Sequence, residues 1–255
     1  MKITLLGTGT SQGVPVMGCQ CRVCQSDDPR DKRLRCSALV SVGAKNILID
    51  CGPDFRQQML RIHSPHIDAI LITHEHYDHV GGLDDLRPHS FFHDVDVFAD
   101  SLCASHLRNR LPYCFLPADQ RYPGVPGIRM HEVTPFRPFL AAGVEVLPLR
   151  LMHGQLPILG FRIGSFAYIT DASAISSQVM QCLKGVDTMV INGLRHTPHP
   201  SHQTIEQAVD VATQAGVESA YITHLCHETL LYEEEEQNLP KHVHLAYDGL
   251  TLMGK

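Results

Sequence analysis

The sequence has no long apolar run and no excess of positive charge. No apolar stretch approaches the roughly 18 residues of a membrane span, which argues against a membrane partner. Lysine and arginine number 21 against 27 acidic residues, and the net charge of −6 disfavours a nucleic-acid backbone as the main partner. The hydrophobic content of 44% allows a sizeable core, so we expect one domain spanning residues 1–255.

Features of an exported protein are also missing. Residues 1–7 run into a glycine-rich loop too early for a signal peptide. The nine cysteines are odd in number, and Cys103 and Cys182 fall inside apparent helices or strands, which fits a reducing compartment better than a disulfide framework. We therefore expect a cytoplasmic protein. Its oligomeric state stays open, with a homodimer among the alternatives.

Short strands alternating with helices are predicted in two similar halves. One helix is well marked, because Thr204 and Gln207 have the spacing of a capping box and Gly216 suits the C-terminal cap. Residues 111–140 are rich in proline and aromatics and are predicted to be irregular, and residues 84–140 carry no motif that indicates a function. The Gly7–Gly13 loop lacks the lysine of a P-loop, so it is interpreted as a turn beside the functional site. The pattern predicts two sheets packed face to face with helices outside.

Three predicted strands end in side chains that can bind metal. Residues 70–73 are followed by four such side chains within six positions, His74, His76, Asp78 and His79. Residues 167–170 lead to Asp171, and residues 220–223 lead to His224. Imidazole and carboxylate suit zinc, manganese or iron, and a strand fixes where its terminal ligands point. This repetition favours one metal site at a common sheet edge over a polar loop with surface histidines.

The His-x-His-x-Asp-His motif from His74 to His79 resembles that of the metallo-β-lactamase-fold hydrolases, and His153, Asp171 and His224 match the family's later ligands in order. The resemblance implies an α/β fold, the four-layer αββα sandwich, with two divalent ions, Mn²⁺ or Zn²⁺, at one sheet edge. One ion would bind His74, His76 and His153. The other would bind Asp78, His79 and His224, and Asp171 would bridge the two.

Ligand types separate the chemistries of this fold. The β-lactamases place a cysteine among the ligands of the second metal, and the diiron oxygen-reducing members have an acidic residue where His76 stands. Neither feature matches this sequence. The resemblance therefore favours a hydrolase over a redox protein and leaves phosphodiesters, thioesters and lactones as substrates.

Cys19, Cys21 and Cys24 place three thiols within six residues, which by chance alone could be a cluster without function. The phosphoribosyl cyclic phosphate phosphodiesterases have Cys-x-Cys-x-x-Cys in this place and a histidine three positions beyond the last catalytic histidine. That resemblance implies one structural Zn²⁺ held by the three cysteines and His227. Proteins of pyrroloquinoline quinone synthesis share a similar cysteine cluster, so it does not decide the substrate.

His202 lies just before the predicted helix, in the sequence Ser201-His202-Gln203-Thr204. In the cyclic phosphodiesterases and in the transfer-RNA 3′-processing nucleases of this fold, a histidine in a similar setting contacts the scissile phosphate. The resemblance implies that His202 is catalytic together with Asp78. His196 and His199 remain competitors for the role of His202, which could also be a surface histidine.

The sequence predicts a metal-dependent phosphodiesterase that opens small cyclic phosphodiesters, such as phosphoribosyl 1,2-cyclic phosphate or 2′,3′-cyclic nucleotides, by attack of a metal-bridging hydroxide. One alternative is a transfer-RNA 3′-processing endonuclease, but the longer of these enzymes carry an RNA-gripping arm between the ligands matching His153 and Asp171. Only residues 154–170, 17 in number, lie between them here. A weakly hydrolytic protein of the quinone-synthesis type is the other alternative, which the complete ligand set disfavours.

Overall fold

Two seven-stranded β-sheets form the centre of the protein in a computed structural model, which describes residues 1–90 and 93–255. The first sheet has the order β14-β1-β2-β3-β4-β5-β6 and comprises β1 (Lys2–Gly7), β2 (Ser37–Val42), β3 (Lys45–Ile49), β4 (Ala69–Leu71), β5 (Val95–Ala99), β6 (Ile128–Glu132) and β14 (Thr251–Met253). The second has the order β13-β12-β11-β10-β9-β8-β7 and comprises β7 (Phe139–Ala141), β8 (Val144–His153), β9 (Leu156–Ile163), β10 (Phe166–Ile169), β11 (Thr188–Asn192), β12 (Ser219–Thr223) and β13 (Val243–Leu245).

Each sheet has an antiparallel part and a parallel part. In the first sheet β3, β4, β5 and β6 run parallel, and in the second β10, β11, β12 and β13 do so. The carboxyl ends of parallel strands lie at the same edge of a sheet, where open α/β folds usually bind ligands. A backbone hydrogen bond of 2.9 Å from Leu159 N–H to the carbonyl of Thr73 joins the two sheets at the end of β4.

Helices cover the outer faces of both sheets. The helices are α1 (Arg22–Gln25), α2 (Phe55–Arg61), α3 (Tyr77–Val80), α4 (Ser101–Arg110), α5 (Ser177–Cys182), α6 (Ile205–Ala215) and α7 (Tyr232–Asn238). All but α1, which packs in a small separate cluster with Val14, contribute to the two outer cores. The predicted capping box of α6 is confirmed, since Thr204 Oγ1 accepts from Gln207 N–H and Gln207 Oε1 accepts from Thr204 N–H. Gly216 ends this helix with φ 68°, a left-handed conformation that costs glycine little.

Alternation along the strands produces the four layers. In β4, Ala69 and Leu71 pack into the core between the sheets, whereas Ile70 packs outward into the core that α2 and α4 cover. In β10 the pattern repeats, with Tyr168 between the sheets and Ile169 facing the core under α5 and α6. Strands that are buried on both faces have continuous apolar sequences, and β4 and β10 do. The predicted αββα sandwich is confirmed.

Two details of the sequence-based prediction were wrong. Residues 111–140 are not irregular throughout, because β6 pairs in parallel with β5 and β7 pairs with β8. Charged side chains on the edge strand β6 and the prolines that precede it obscure its alternation. The sequence predicts a strand over residues 144–149 before His153, but β8 is longer and ends at His153 itself. Within the described ranges, no helix has the length and apolar character needed to cross a membrane.

Candidate metal centre

The metal-binding types of side chain converge where strands of both sheets end. His74 follows β4, and Asp171 and His224 follow β10 and β12. Asp171 has φ 56° and His224 has φ 59°, and Asp50 after β3 has φ 60°. Left-handed backbone costs a non-glycine residue on the order of 1–3 kcal/mol and is concentrated at functional sites. These strained turns position three polar side chains at one edge of the sandwich.

Seven residues form a cluster of overlapping groups, in each of which the candidate ligand atoms lie within 4.8 Å of one another. The groups are His74, His76 and His153; Asp78, His79 and His224; and His74, His79 and Asp171. A fourth group joins His153 and Asp171 to His202, which is outside the seven. The carboxylate of Asp171 spans the halves of the cluster, with Oδ1 3.1 Å from His224 Nε2 and Oδ2 3.2 Å from His79 Nε2. The structure thus brings together all seven residues that the motif singles out.

The imidazoles of this cluster are oriented by hydrogen bonds on their outer nitrogens. Nδ1–H of His79 donates to Asp50 at 2.7 Å, that of His74 to Thr73 Oγ1 at 3.0 Å, and that of His153 to the Ser201 carbonyl at 2.8 Å. Nε2 of His74, His79 and His224 is buried, yet makes no hydrogen bond within residues 1–90 and 93–255. Unpartnered buried nitrogens that face carboxylates fit divalent cations, which fill such lone pairs.

Charge in the cluster favours a bound cation. Burial disfavours ionisation of Asp171, but His224 and His79 hold its pKa well below the usual range. Burial likewise disfavours the imidazolium of His224, but Asp171 raises its pKa to about 9. Positive charge therefore has to accompany the buried carboxylates, and divalent ions can replace the protons in that role.

Asp50 adjoins the cluster but is not among the residues that the sequence singled out. Its side chain is fully buried and accepts hydrogen bonds from Thr73 N–H at 2.8 Å, from Thr73 Oγ1 and from His79. Burial raises the pKa of Asp50, although His79 opposes this. The feature that could have indicated Asp50 is its position directly after β3. This strand is the parallel neighbour of β4, so the carboxyl ends of both strands lie at the same sheet edge.

The cysteine residues predicted to bind zinc also come together. Ligand atoms of Cys19, Cys21, Cys24 and His227 lie within 4.8 Å of one another, and His227 Nδ1 is 3.2 Å from the Cys19 sulfur. Hydrogen bonds from Cys24 N–H and His227 overcome the effect of burial and lower the pKa of Cys21 to about 6, whereas burial raises that of Cys24 to about 11. Four donors of these types in a closed group suit tetrahedral zinc.

The three histidines before α6 differ in where they lie. His202 adjoins the cluster, with Nδ1 3.7 Å from Asp171 Oδ1 and its ring 4.6 Å from that of His153. Burial and His224 lower the pKa of His202 to about 3. The ring of His199 is 4.9 Å from that of His202. His196 contacts Glu206 and Glu235 through its two nitrogens, which leaves it engaged away from the cluster.

The family model for the β-lactamase superfamily domain matches residues 45–225, a range that contains all seven cluster residues. The chain belongs to the β-lactamase superfamily. A solved member, a diphosphatase from the PhnP family, is 39% identical and superposes with a TM-score of 0.91 over 100% of this chain and 98% of its own. The predicted resemblance to the metallo-β-lactamase-fold hydrolases, and among them to the PhnP family, is confirmed.

Two curated relatives carry other names. An octanoyltransferase of Porphyromonas gingivalis W83 is 49% identical over 252 residues, which are 98% of this chain and 51% of that protein. The present chain thus spans about half the length of this relative. A coenzyme PQQ synthesis protein B of Methylobacterium nodulans is 34% identical over 229 residues, 76% of this chain and 73% of that protein.

Proposed function

We propose that this superfamily member hydrolyses small cyclic phosphodiesters with two divalent ions, Mn²⁺ or Zn²⁺, held by the seven cluster residues. The observation that carries the proposal is the position of His202, which lies beside Asp171 and His153 within ligand distance but is left over once the seven cluster residues hold two ions. Similarity to a solved diphosphatase supports chemistry at phosphorus. Divalent ions supply Lewis acidity and lower the pKa of water at such sites.

Each cluster residue has a separate task in this proposal. His74, His76 and His153 would hold one ion, Asp78, His79 and His224 the other, and Asp171 both. The Asp78 carboxylate, 3.1 Å from His79 Nε2, would also accept a hydrogen bond from the attacking water and so orient it. His202 would give a proton to the departing sugar oxygen. The negative charge of a bound phosphodiester favours the protonated imidazole and raises its pKa from the low value that burial and His224 give it.

The structure bears on the alternatives as well. The hairpin of β9 and β10 occupies residues 156–169, so the chain between His153 and Asp171 provides strands of the second sheet and not an RNA-gripping arm. The seven ligand-type side chains are all in place, which argues against a weakly hydrolytic quinone-synthesis protein. The name octanoyltransferase describes a protein of which this chain covers 51%, so it does not decide the activity of the shared region.

Turnover of four substrates by one metal-loaded sample tests the proposed function. They are bis(p-nitrophenyl) phosphate, a 2′,3′-cyclic nucleotide, phosphoribosyl 1,2-cyclic phosphate and a transfer-RNA precursor. We expect cleavage of bis(p-nitrophenyl) phosphate and of at least one cyclic substrate, and none of the RNA. Processing of the RNA without cleavage of either cyclic substrate would identify the endonuclease instead. Failure on all four would favour the weakly hydrolytic alternative.

A third ion, a structural Zn²⁺, is proposed for Cys19, Cys21, Cys24 and His227. Cys21→Ser should remove about one of three metal ions per chain and lower the melting temperature by at least about 5 °C, because zinc binding contributes directly to folding. Metal analysis and thermal melting measure both effects. Cys182→Ser, at a half-buried cysteine outside the group, is the control and should change neither. Unchanged metal content in Cys21→Ser would remove the case for this site.

Asp50→Asn should weaken the metal cluster without removing a ligand. The amide cannot accept all the hydrogen bonds that the carboxylate accepts from Thr73 and His79, so the imidazole of His79 loses its orientation. Loss of such supporting contacts typically costs about 10–100-fold in metal affinity or activity. Competition with a chelator measures the affinity. Asp68→Asn is the control, because Asp68 accepts comparable hydrogen bonds from Lys45 and Asn46 before β4, not after it. Equal affinities in the two variants would show that Asp50 has no such role.

A further inference from the structure

A polar cleft of about 330 Å³ adjoins the metal cluster, and His202 lines it. The other side chains that matter are not candidate metal ligands: Ser11, Gln12, Arg195, His199 and Glu228. The volume is at the small end of the range for ligand pockets, which is about 300–1,000 Å³. A group the size of one nucleoside or sugar fits such a cleft better than a polymer.

Segments far apart in sequence form the walls of this cleft, and backbone contacts hold them together. Thr10 N–H donates to the carbonyl of Leu225 at 3.0 Å, and Leu225 N–H donates to the carbonyl of Thr8 at 3.0 Å. The cysteine group adds a second connection, because Cys19 and His227 lie on the same two segments. The cleft is therefore pre-formed, which reduces the entropic cost of binding.

The charges in the cleft balance. The guanidinium of Arg195 pairs with the carboxylate of Glu228, and Arg195 Nε–H also donates to the Thr197 carbonyl at 3.3 Å. His199 Nδ1 accepts from Ser201 N–H at 3.3 Å, so its ring is neutral in this arrangement. The hydroxyl of Ser11 and the amide of Gln12 complete a set of donors and acceptors without net charge. Such a set suits hydroxyl groups, which both donate and accept.

The place of His202 connects the cleft to the reaction. A proton donor has to lie within hydrogen-bond reach of the oxygen that departs. Since the side chain of His202 faces both Asp171 and the cleft, the departing oxygen and the sugar that carries it are adjacent to the cleft. A second phosphate that reached the Arg195–Glu228 pair would meet the Glu228 carboxylate beside a guanidinium that is already paired with it. Like-charge contacts of this kind are a common means of rejecting wrong ligands.

We propose that this cleft binds the sugar of a cyclic phosphodiester, and that the Arg195–Glu228 pair selects a sugar with a free hydroxyl over one that carries a second phosphate. The inference rests on the proposed function and narrows it. Of the two substrate types named above, it favours 2′,3′-cyclic nucleotides with a free 5′-hydroxyl over phosphoribosyl cyclic phosphate.

Two substrates that differ at one position test the inference: 2′,3′-cyclic AMP and the same compound with a 5′-phosphate. For the metal-loaded protein we expect kcat/KM to favour the free 5′-hydroxyl by at least about tenfold, a difference of about 1.4 kcal/mol. Glu228→Gln removes the repulsion and frees Arg195, so it should raise kcat/KM for the 5′-phosphate and reduce this preference at least about tenfold. Arg195→Gln should lower kcat/KM for both, and more for the 5′-phosphate.

Glu233→Gln is the matched control. It also removes one exposed carboxylate paired with an arginine, Arg30, but lies outside the cleft. It should leave the preference unchanged, and melting curves should show all variants folded because exposed ion pairs contribute little to stability. Two results would overturn this inference but leave the proposed function standing. They are a wild-type preference for the 5′-phosphate and an unchanged preference in Glu228→Gln. If the wild-type protein cleaves phosphoribosyl 1,2-cyclic phosphate but neither of these compounds, the inference fails and the proposed function stands. If it cleaves none of the three, both fail.

Discussion

Asp171→Ala is expected to empty both halves of the metal cluster and to lower kcat/KM on a cyclic phosphodiester by at least about 10³-fold. Asp171 is buried between the halves, with one carboxylate oxygen near His224 and the other near His79. Two ions so held supply several kcal/mol of charge stabilisation, and each 1.4 kcal/mol corresponds to a factor of ten in rate. Asp171→Asn is a useful companion, because asparagine tolerates the left-handed backbone at this position better than alanine does.

Comparison with two other variants makes this result specific. His76 belongs to one group of three ligands only, so His76→Ala should lower the affinity for one ion more than for the other. Asp96→Ala removes a carboxylate that pairs with Arg129 and His131 outside the cluster, and should keep the full metal content. Metal analysis after gel filtration, together with turnover, measures the effects. An Asp171→Asn protein with two cluster ions and near-normal turnover would show that Asp171 does not hold both.

His202→Ala is expected to keep its metal ions and lose about 10²–10⁴-fold in kcat on a 2′,3′-cyclic nucleotide, the usual contribution of a general acid. Opening the ring expels a basic sugar alkoxide that needs a proton. The loss on bis(p-nitrophenyl) phosphate should be much smaller, because p-nitrophenolate leaves without protonation. The contrast between the two substrates therefore measures proton donation separately from phosphate binding.

The neighbouring histidines supply the controls. Both nitrogens of His196 contact Glu206 and Glu235. His196→Ala should therefore leave the ratio of the turnover rates on the two substrates unchanged. His199 lies against His202 in the cleft, and His199→Ala should affect the cyclic nucleotide through KM more than through kcat. Equal losses on both substrates in His202→Ala would mean that His202 binds the phosphate but is not the acid. No loss on either would make it a surface histidine without a catalytic role.

Three of the ligand-type residues could be predicted from the pattern itself because each follows a strong strand signal, whereas His153 was singled out only by the family resemblance. His74, Asp171 and His224 come after apolar runs that end in Ile-Thr, and parallel strands bring their carboxyl ends to one edge. Asp50 follows a similar run, but its partner His79 is 29 positions away, and no local pattern connects the two. A carboxylate after a strand can be assigned to the site only when the neighbouring strand in the sheet is known.

The cleft could not be predicted for a related reason. Gln12, Arg195 and Glu228 lie on three loops, and each has an ordinary surface residue type in its own segment. Their proximity depends on the contact of Thr10 with Leu225, which the packing of the two sheets creates. The edge strand β6 was missed because its exposed face carries Arg129 and His131, which pair with Asp96 on β5 and interrupt the apolar run.

The division of the cluster between the two sheets also connects metal supply to protein abundance. His74 and His79 follow a strand of the first sheet, whereas Asp171 and His224 follow strands of the second. Ions held between them would bind only the fully assembled chain. A free ion concentration 100 times the dissociation constant then adds about 2.7 kcal/mol to the free energy of unfolding per site. In a cell starved of the metal, the apoprotein would unfold more often, and proteases would lower its steady-state level before any change in its synthesis.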